Sequence, residues 1–139
     1  MATRAEDRTS RNTVQRSLVL EAVRSLHDHP TSADVYERVR KDHPSISRAT
    51  VYRNLALLAQ RGDILRVELP NGADRYDWTI RPHYHAKCRV CGRVFDVDTP
   101  YLSDLPAEVE DAPGFSIEGH QIIFTGICAD CSAEGRERG

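Results

Sequence analysis

The chain has 139 residues, 40% of them apolar, and a formal net charge of -2, a composition that belongs to folded globular chains and excludes a disordered or fibrous one. No apolar run approaches the ~18 residues a membrane span needs, and the opening MATRAEDRTSRN lacks the apolar segment of a signal peptide, so the protein is read as cytoplasmic. The net charge conceals an asymmetry: residues 1–69 carry 12 Lys+Arg against 9 Asp+Glu, and residues 70–139 carry 7 against 12, which points to a front module facing a polyanion.

Val14, Leu18, Ala22 and Leu26, with Val19 and Val23 alongside, predict an amphipathic helix over about 13–27 that His29-Pro30 ends. Thr31 and Ser32 cap a second helix, with Ala33, Val35, Tyr36 and Val39 on its apolar face, running to about Asp42 before His43-Pro44. Ser47 caps a third over about 48–60, with Val51, Leu55 and Leu58 as its buried stripe and Gly62 as its stop. Arg48, Thr50, Tyr52, Arg53 and Asn54 form the other face. The runs Ile64–Leu69 and Ala73–Trp78 flank Pro70-Asn71-Gly72, a strong hairpin signal. Three helices and a ribbon read as a winged helix-turn-helix over residues 1–79, whose third helix enters the major groove of double-stranded DNA. A plain helical bundle with a solvated polar face has the same pattern.

Ile80-Arg81-Pro82 reads as a hinge. Beyond it, His83–Lys87, Val94–Val97 and Phe115–Phe124 have strand character, and a helix is expected between Tyr101 and Glu110. The fold class is α+β, the rear module occupying residues 83–139. A unit of fewer than ~60 residues generally needs a metal, disulfides or a partner chain for stability.

All four cysteines fall into two C-x-x-C pairs, Cys88/Cys91 and Cys128/Cys131. In a reducing compartment such pairs favour one tetrahedral structural Zn(II), with thiol redox pairs or unrelated cysteines as the alternatives. His83 and His85 have strand spacing and project from one face. With Asp77 and Asp96 they offer nitrogen and oxygen donors suited to Fe(II), Mn(II) or Zn(II), although such residues on exposed strands also occur without a metal.

The segments HPTSADVY (29–36), SRATVYRNLALL (47–58), RYD (75–77), HYHAKCRVCG (83–92) and GICADC (126–131), in this order, resemble the ferric uptake regulator family of bacterial metal-dependent repressors, most closely its peroxide-sensing branch. The resemblance spans about Thr13 to Ser132. It implies a winged-helix domain hinged to an α/β dimerisation domain, working as a homodimer on operator DNA and released by metal loss or by metal-catalysed oxidation of a ligand histidine. Cys88, Cys91, Cys128 and Cys131 match the structural zinc ligands, and His29, Asp77, His83, His85 and Asp96 the regulatory Fe(II) or Mn(II) site. Arg16, Ser47, Arg48, Thr50, Tyr52, Arg53 and Asn54 are the expected DNA-facing residues. Asp96 stands where iron-sensing relatives usually carry glutamate.

Departures from the family pattern also carry expectations. Thr13-Val14-Gln15-Arg16 replaces the usual Thr-Pro-Gln-Arg, and the segment before it is short for the leading helix many members carry. At the further metal site of iron-uptake members, Pro82, Tyr84 and Ser103 stand at three positions and only His120 remains, so that site is expected to be absent. His27 and His43 match no role. The rival readings are an iron, zinc or manganese uptake regulator that does not react with peroxide, a zinc hydrolase, and a thiol oxidoreductase. The hydrolase lacks a catalytic signature such as H-E-x-x-H, and oxidation of a protein's own ligand is not turnover. The protein is therefore not expected to be an enzyme.

Overall fold

The structure, a computed structural model, describes residues 4–109 and 112–135, with side chains from residue 10 onward. The outer limits expected for the two modules, residues 1 and 139, and the end of the expected helix at Glu110 lie outside the described residues. The chain divides into two compact units between Ile80 and Arg81.

The first unit contains helices α1 (Arg4–Ser25), α2 (Ser32–Arg40) and α3 (Arg48–Gln60), then strands β1 (Leu65–Val67) and β2 (Arg75–Asp77). Helix α1 begins well before the expected start. The polar residues ahead of Val14 give no apolar period, yet none of them breaks a helix, and Val14 in place of proline lets the hydrogen-bond ladder continue. Val14 itself is 54% exposed rather than part of the apolar face. Val19, Ala22 and Val23 are buried and pack with Val35, Val39, Ile46, Val51, Leu55, Leu58, Ile64 and Tyr76.

Local chemistry sets the helix starts. Thr31 and Asp34 form a reciprocal capping box at α2, and the Ser47 hydroxyl accepts the Thr50 N–H at α3. The C-terminal stop of α3 is Gly62, at φ +80°. Strands β1 and β2 are antiparallel, with Arg66 opposite Tyr76. They are shorter than expected, and residues 68–74 form a loop in place of a tight Asn-Gly turn, with Asn71 at a positive φ of 61°.

The wing is fastened to the loop between α1 and α2. The Tyr76 N–H donates to the Pro30 carbonyl (2.9 Å), and Arg75 Nη1 donates to the His29 carbonyl (3.2 Å). His29 is held in the left-handed region, at φ 55°, an uncommon conformation for a residue with a side chain.

The second unit is a three-stranded sheet of β3 (Tyr84–Cys88), β4 (Val94–Val97) and β5 (Ile123–Gly126), followed by a short helix α4 (Ala129–Ala133). The strand order is β4-β3-β5. Strand β3 runs antiparallel to β4, with His85 opposite Asp96, and parallel to β5, with Cys88 opposite Gly126. Two expectations change here. The helix expected from Tyr101 is a single 3-10 turn, Leu105–Glu108, because Pro106 at its start fixes φ and the segment has no apolar stripe to bury. The strand expected over Phe115–Phe124 is confined to its end and extends to Gly126, since only that segment reaches a hydrogen-bonding partner in β3.

Candidate metal centres and nucleic-acid face

Parallel pairing of β3 and β5 brings the ends of both strands, and so both C-x-x-C pairs, to one end of the sheet. All four Sγ atoms lie within 4.8 Å of one another, and Cys91 Sγ is 3.8 Å from Cys128 Sγ. A tetrahedral zinc with ~2.3 Å Zn–S bonds sets its sulfurs ~3.8 Å apart, so the thiols fit that ion, whereas a disulfide needs ~2 Å. Backbone N–H groups of Cys91 (3.5 Å) and Cys128 (3.3 Å) point at Cys88 Sγ. These donors hold the Cys88 thiol down at about 5. The Cys131 N–H does the same for Cys128, shifting it below the ordinary thiol range, while burial and the neighbouring sulfurs push Cys131 up to about 12. Thiolates gathered by backbone donors, with one thiol held protonated by burial and its neighbours, fit a site made to receive a dication. The salt bridge between Arg93 and Asp130 (2.9 Å) joins the two knuckles on the outside.

Within the first unit, His29 Nε2 lies 3.2 Å from Asp77 Oδ2, and both residues are buried. The other carboxylate oxygen of Asp77 accepts the Thr79 N–H at 2.9 Å. Within the second unit, His83 Nε2 lies 2.9 Å and His85 Nε2 3.5 Å from Asp96 Oδ1. The imidazoles face one way, as their spacing predicts, with ring centroids 4.4 Å apart.

His83 supplies the chemical test of whether a metal belongs here. Its Nδ1 is 2.6 Å from the Arg81 carbonyl oxygen, which can only accept, so Nδ1 carries the proton. In the neutral ring its Nε2 then presents a lone pair to the Asp96 carboxylate. Two acceptors flanking a neutral ring repel unless a second proton or a cation intervenes. A carbonyl fixing the Nδ1–H tautomer is the outer-shell arrangement that leaves Nε2 for a metal. The nitrogen and oxygen donors suit a divalent ion of the first transition row.

His120, the residue left over from the pattern, is engaged otherwise. Its Nε2 is 2.7 Å from the Tyr84 hydroxyl, which also accepts the Leu102 N–H at 3.0 Å, and its ring stacks on Tyr101 at 4.8 Å. Sequence reading treated Tyr84 only as a missing ligand. Its place between His83 and His85 in the sequence is the signal that it faces the opposite side.

On α3, Arg48, Tyr52 and Arg53 are exposed. Asn54 requires correction as a DNA-facing residue: it is buried beside Leu55, and its amide donates to the Thr50 carbonyl at 2.8 Å. Ser47 spends its hydroxyl on the helix cap, and the Thr50 hydroxyl sits 2.9 Å from it and 3.3 Å from Arg53 Nη2. Arg16 is half-buried on α1.

Helices, wing and donor sets together define a winged-helix protein with a metal-binding second unit. The chain belongs to the ferric uptake regulator family, whose profile matches residues 7–125. It is 31% identical over 121 residues to the peroxide-responsive repressor PerR of Staphylococcus saprophyticus, covering 87% of this chain and 82% of that one. Among solved structures it resembles the Campylobacter jejuni peroxide stress regulator, with a TM-score of 0.70, 27% identity, and coverage of 91% and 96% of the two chains. The Helicobacter pylori ferric uptake regulator shares the fold at a TM-score of 0.69 and 22% identity, over 85% of this chain and 79% of that one.

Proposed function

We propose that the chain is a metal-dependent transcriptional repressor that responds to peroxide, binding operator DNA in the cytoplasm as a homodimer. Structural Zn(II) is held by Cys88, Cys91, Cys128 and Cys131. Regulatory Fe(II) or Mn(II) takes His29 and Asp77 from the first unit and His83, His85 and Asp96 from the second. The observation that carries the reading is the His83 imidazole set between a carbonyl and a carboxylate, in a chain whose relatives include peroxide-responsive repressors.

Ferrous iron, when bound, would supply the electron that begins O–O cleavage, while overall the imidazole is oxidised by two electrons as one peroxide oxygen joins the ring and the other leaves as water. The residues determine the rest. Donors drawn from both units make their mutual orientation depend on ligation, so metal favours the DNA-binding state by its difference in affinity for the two. Addition of one oxygen atom to the His29 or His83 ring spoils an imidazole donor and removes that bias. Because the ligand is consumed, the event is a signal and not catalysis. Strand β5 lies at the edge of its sheet with Phe124 46% exposed, and such an edge supports pairing with a second copy. Among the described residues no helix is long and apolar enough to cross a membrane.

The test is mass spectrometry of protein loaded with Fe(II) or Mn(II), before and after peroxide, alongside DNA binding. Iron-loaded protein should gain about 16 mass units, one oxygen, on a peptide containing His29 or His83 and release DNA, while the manganese form resists both. Iron-loaded protein that stays unmodified and DNA-bound would make it a metal sensor indifferent to peroxide.

A further inference from the structure

The arginines of the first unit differ in how their guanidinium groups are engaged. Arg38, Arg40, Arg61 and Arg66 lie beside the carboxylates of Asp42, Glu37, Asp63 and Asp74 at 3.4, 2.8, 3.6 and 2.6 Å. Arg53 donates to Thr50, and Arg75 to the His29 carbonyl. Arg48, the first residue of α3, is held in another way: its guanidinium carbon stands 4.4 Å from the centre of the Tyr36 ring, a contact between α2 and α3. Among the described residues no carboxylate pairs with it.

A ring face attracts the cation through its quadrupole and orients the guanidinium without using any N–H donor. The five donors are therefore both oriented and unspent. Around them Ser32, Ala33, Ala49 and Tyr52 line an open cleft shared with Tyr36. Small side chains there leave room for another molecule to approach. Tyr36 is also half-buried against the apolar core, which fixes its ring.

We infer that Arg48, oriented by the Tyr36 ring, reads a guanine in the operator half-site, which makes Tyr36 a positioning residue for specificity. The inference rests on the proposed DNA-binding function. Residues at the start of a recognition helix meet base edges, and a guanidinium fork matches O6 and N7 of guanine in the major groove. A pre-oriented fork loses less rotamer freedom on binding than a free one.

The experiment selects sequences from a randomised duplex library with manganese-loaded full-length protein, then compares variants on the selected duplex and on one carrying 7-deazaguanine. Wild type should select guanine at a symmetric pair of positions. Arg48→Lys, which keeps the charge and loses the fork, should keep its affinity for arbitrary DNA. It should lose roughly five- to 150-fold of the preference at each guanine, and 7-deazaguanine should weaken wild type but not this variant. Tyr36→Phe should match wild type, because the ring face remains. Tyr36→Leu should weaken guanine preference roughly two- to fivefold per half-site and show no further loss when combined with Arg48→Lys. If Arg48→Lys keeps the wild-type preference, or Arg48→Ala weakens binding equally for every sequence, Arg48 is a phosphate contact and the inference fails. Failure of wild type to select any sequence would instead overturn the DNA-binding function itself.

Discussion

The first unit packs eleven buried apolar side chains into a continuous core. In the second, the buried residues described are Tyr84, His85, Cys88, Val94 and Cys131. Three of these five are candidate metal ligands. The contrast separates two ways of making a small unit stable: burial of aliphatic surface, at ~25 cal/mol per Å², and closure of a chain loop on an ion. The front unit can therefore be damaged by deleting methyl groups, and the rear one by removing a metal.

The severest way to break the comparison is to strip the four-thiol ion with a strong chelator. Structural zinc contributes about 10–16 kcal/mol in small zinc domains, so amide exchange in β3 and β5 should accelerate to the unfolded rate while α1–α3 remain protected. Equal loss of protection in both units would show that the front one also depends on the metal.

Next in size, Leu55→Ala, at a position fully buried against α1 and α2, should destabilise the first unit by about 2–5 kcal/mol. Differential scanning calorimetry should record that loss while elemental analysis finds zinc content unchanged.

His83→Ala sharpens the distinction between the two candidate metal centres. Loss of even an outer-shell partner costs about 10- to 100-fold in metal affinity, so removing this donor should weaken Mn(II) binding at least about tenfold by competition titration. Zinc content should not move. Smallest of the four, Ser47→Ala removes the cap of α3 and should cost about 1 kcal/mol, with Ser47→Asp restoring most of it. Thermal unfolding of the two variants measures this directly.

The same division explains what could be read from the sequence. Periods of apolar residues and caps such as Thr31 and Ser47 are local, so α2 and α3 were predicted nearly to the residue. The extent of α1 was missed because the residues ahead of Val14 show no apolar period in the sequence. Asn54 was assigned to the wrong face because a polar type suggested solvent, whereas a helix position beside Leu55 and four residues from Thr50 suggests a backbone partner. In the rear unit, spacing identified the four thiols, but not the partner of β5. Parallel pairing with β3 is a long-range fact with no local signature, and helix α4 is too short to show a period.

That parallel pairing also orders events in time. Strand β3 is made well before β5, and the four-thiol cluster needs Cys131, which follows both. While the chain is still leaving the ribosome, residues 1–80 are complete and can fold, since N-terminal units generally do so first. The thiols of Cys88 and Cys91 meanwhile wait, unligated by their partners, for some forty residues of further synthesis. Zinc scarcity would therefore act on the newborn chain after its helices have formed, yielding a population with an assembled front unit and an unclosed rear sheet.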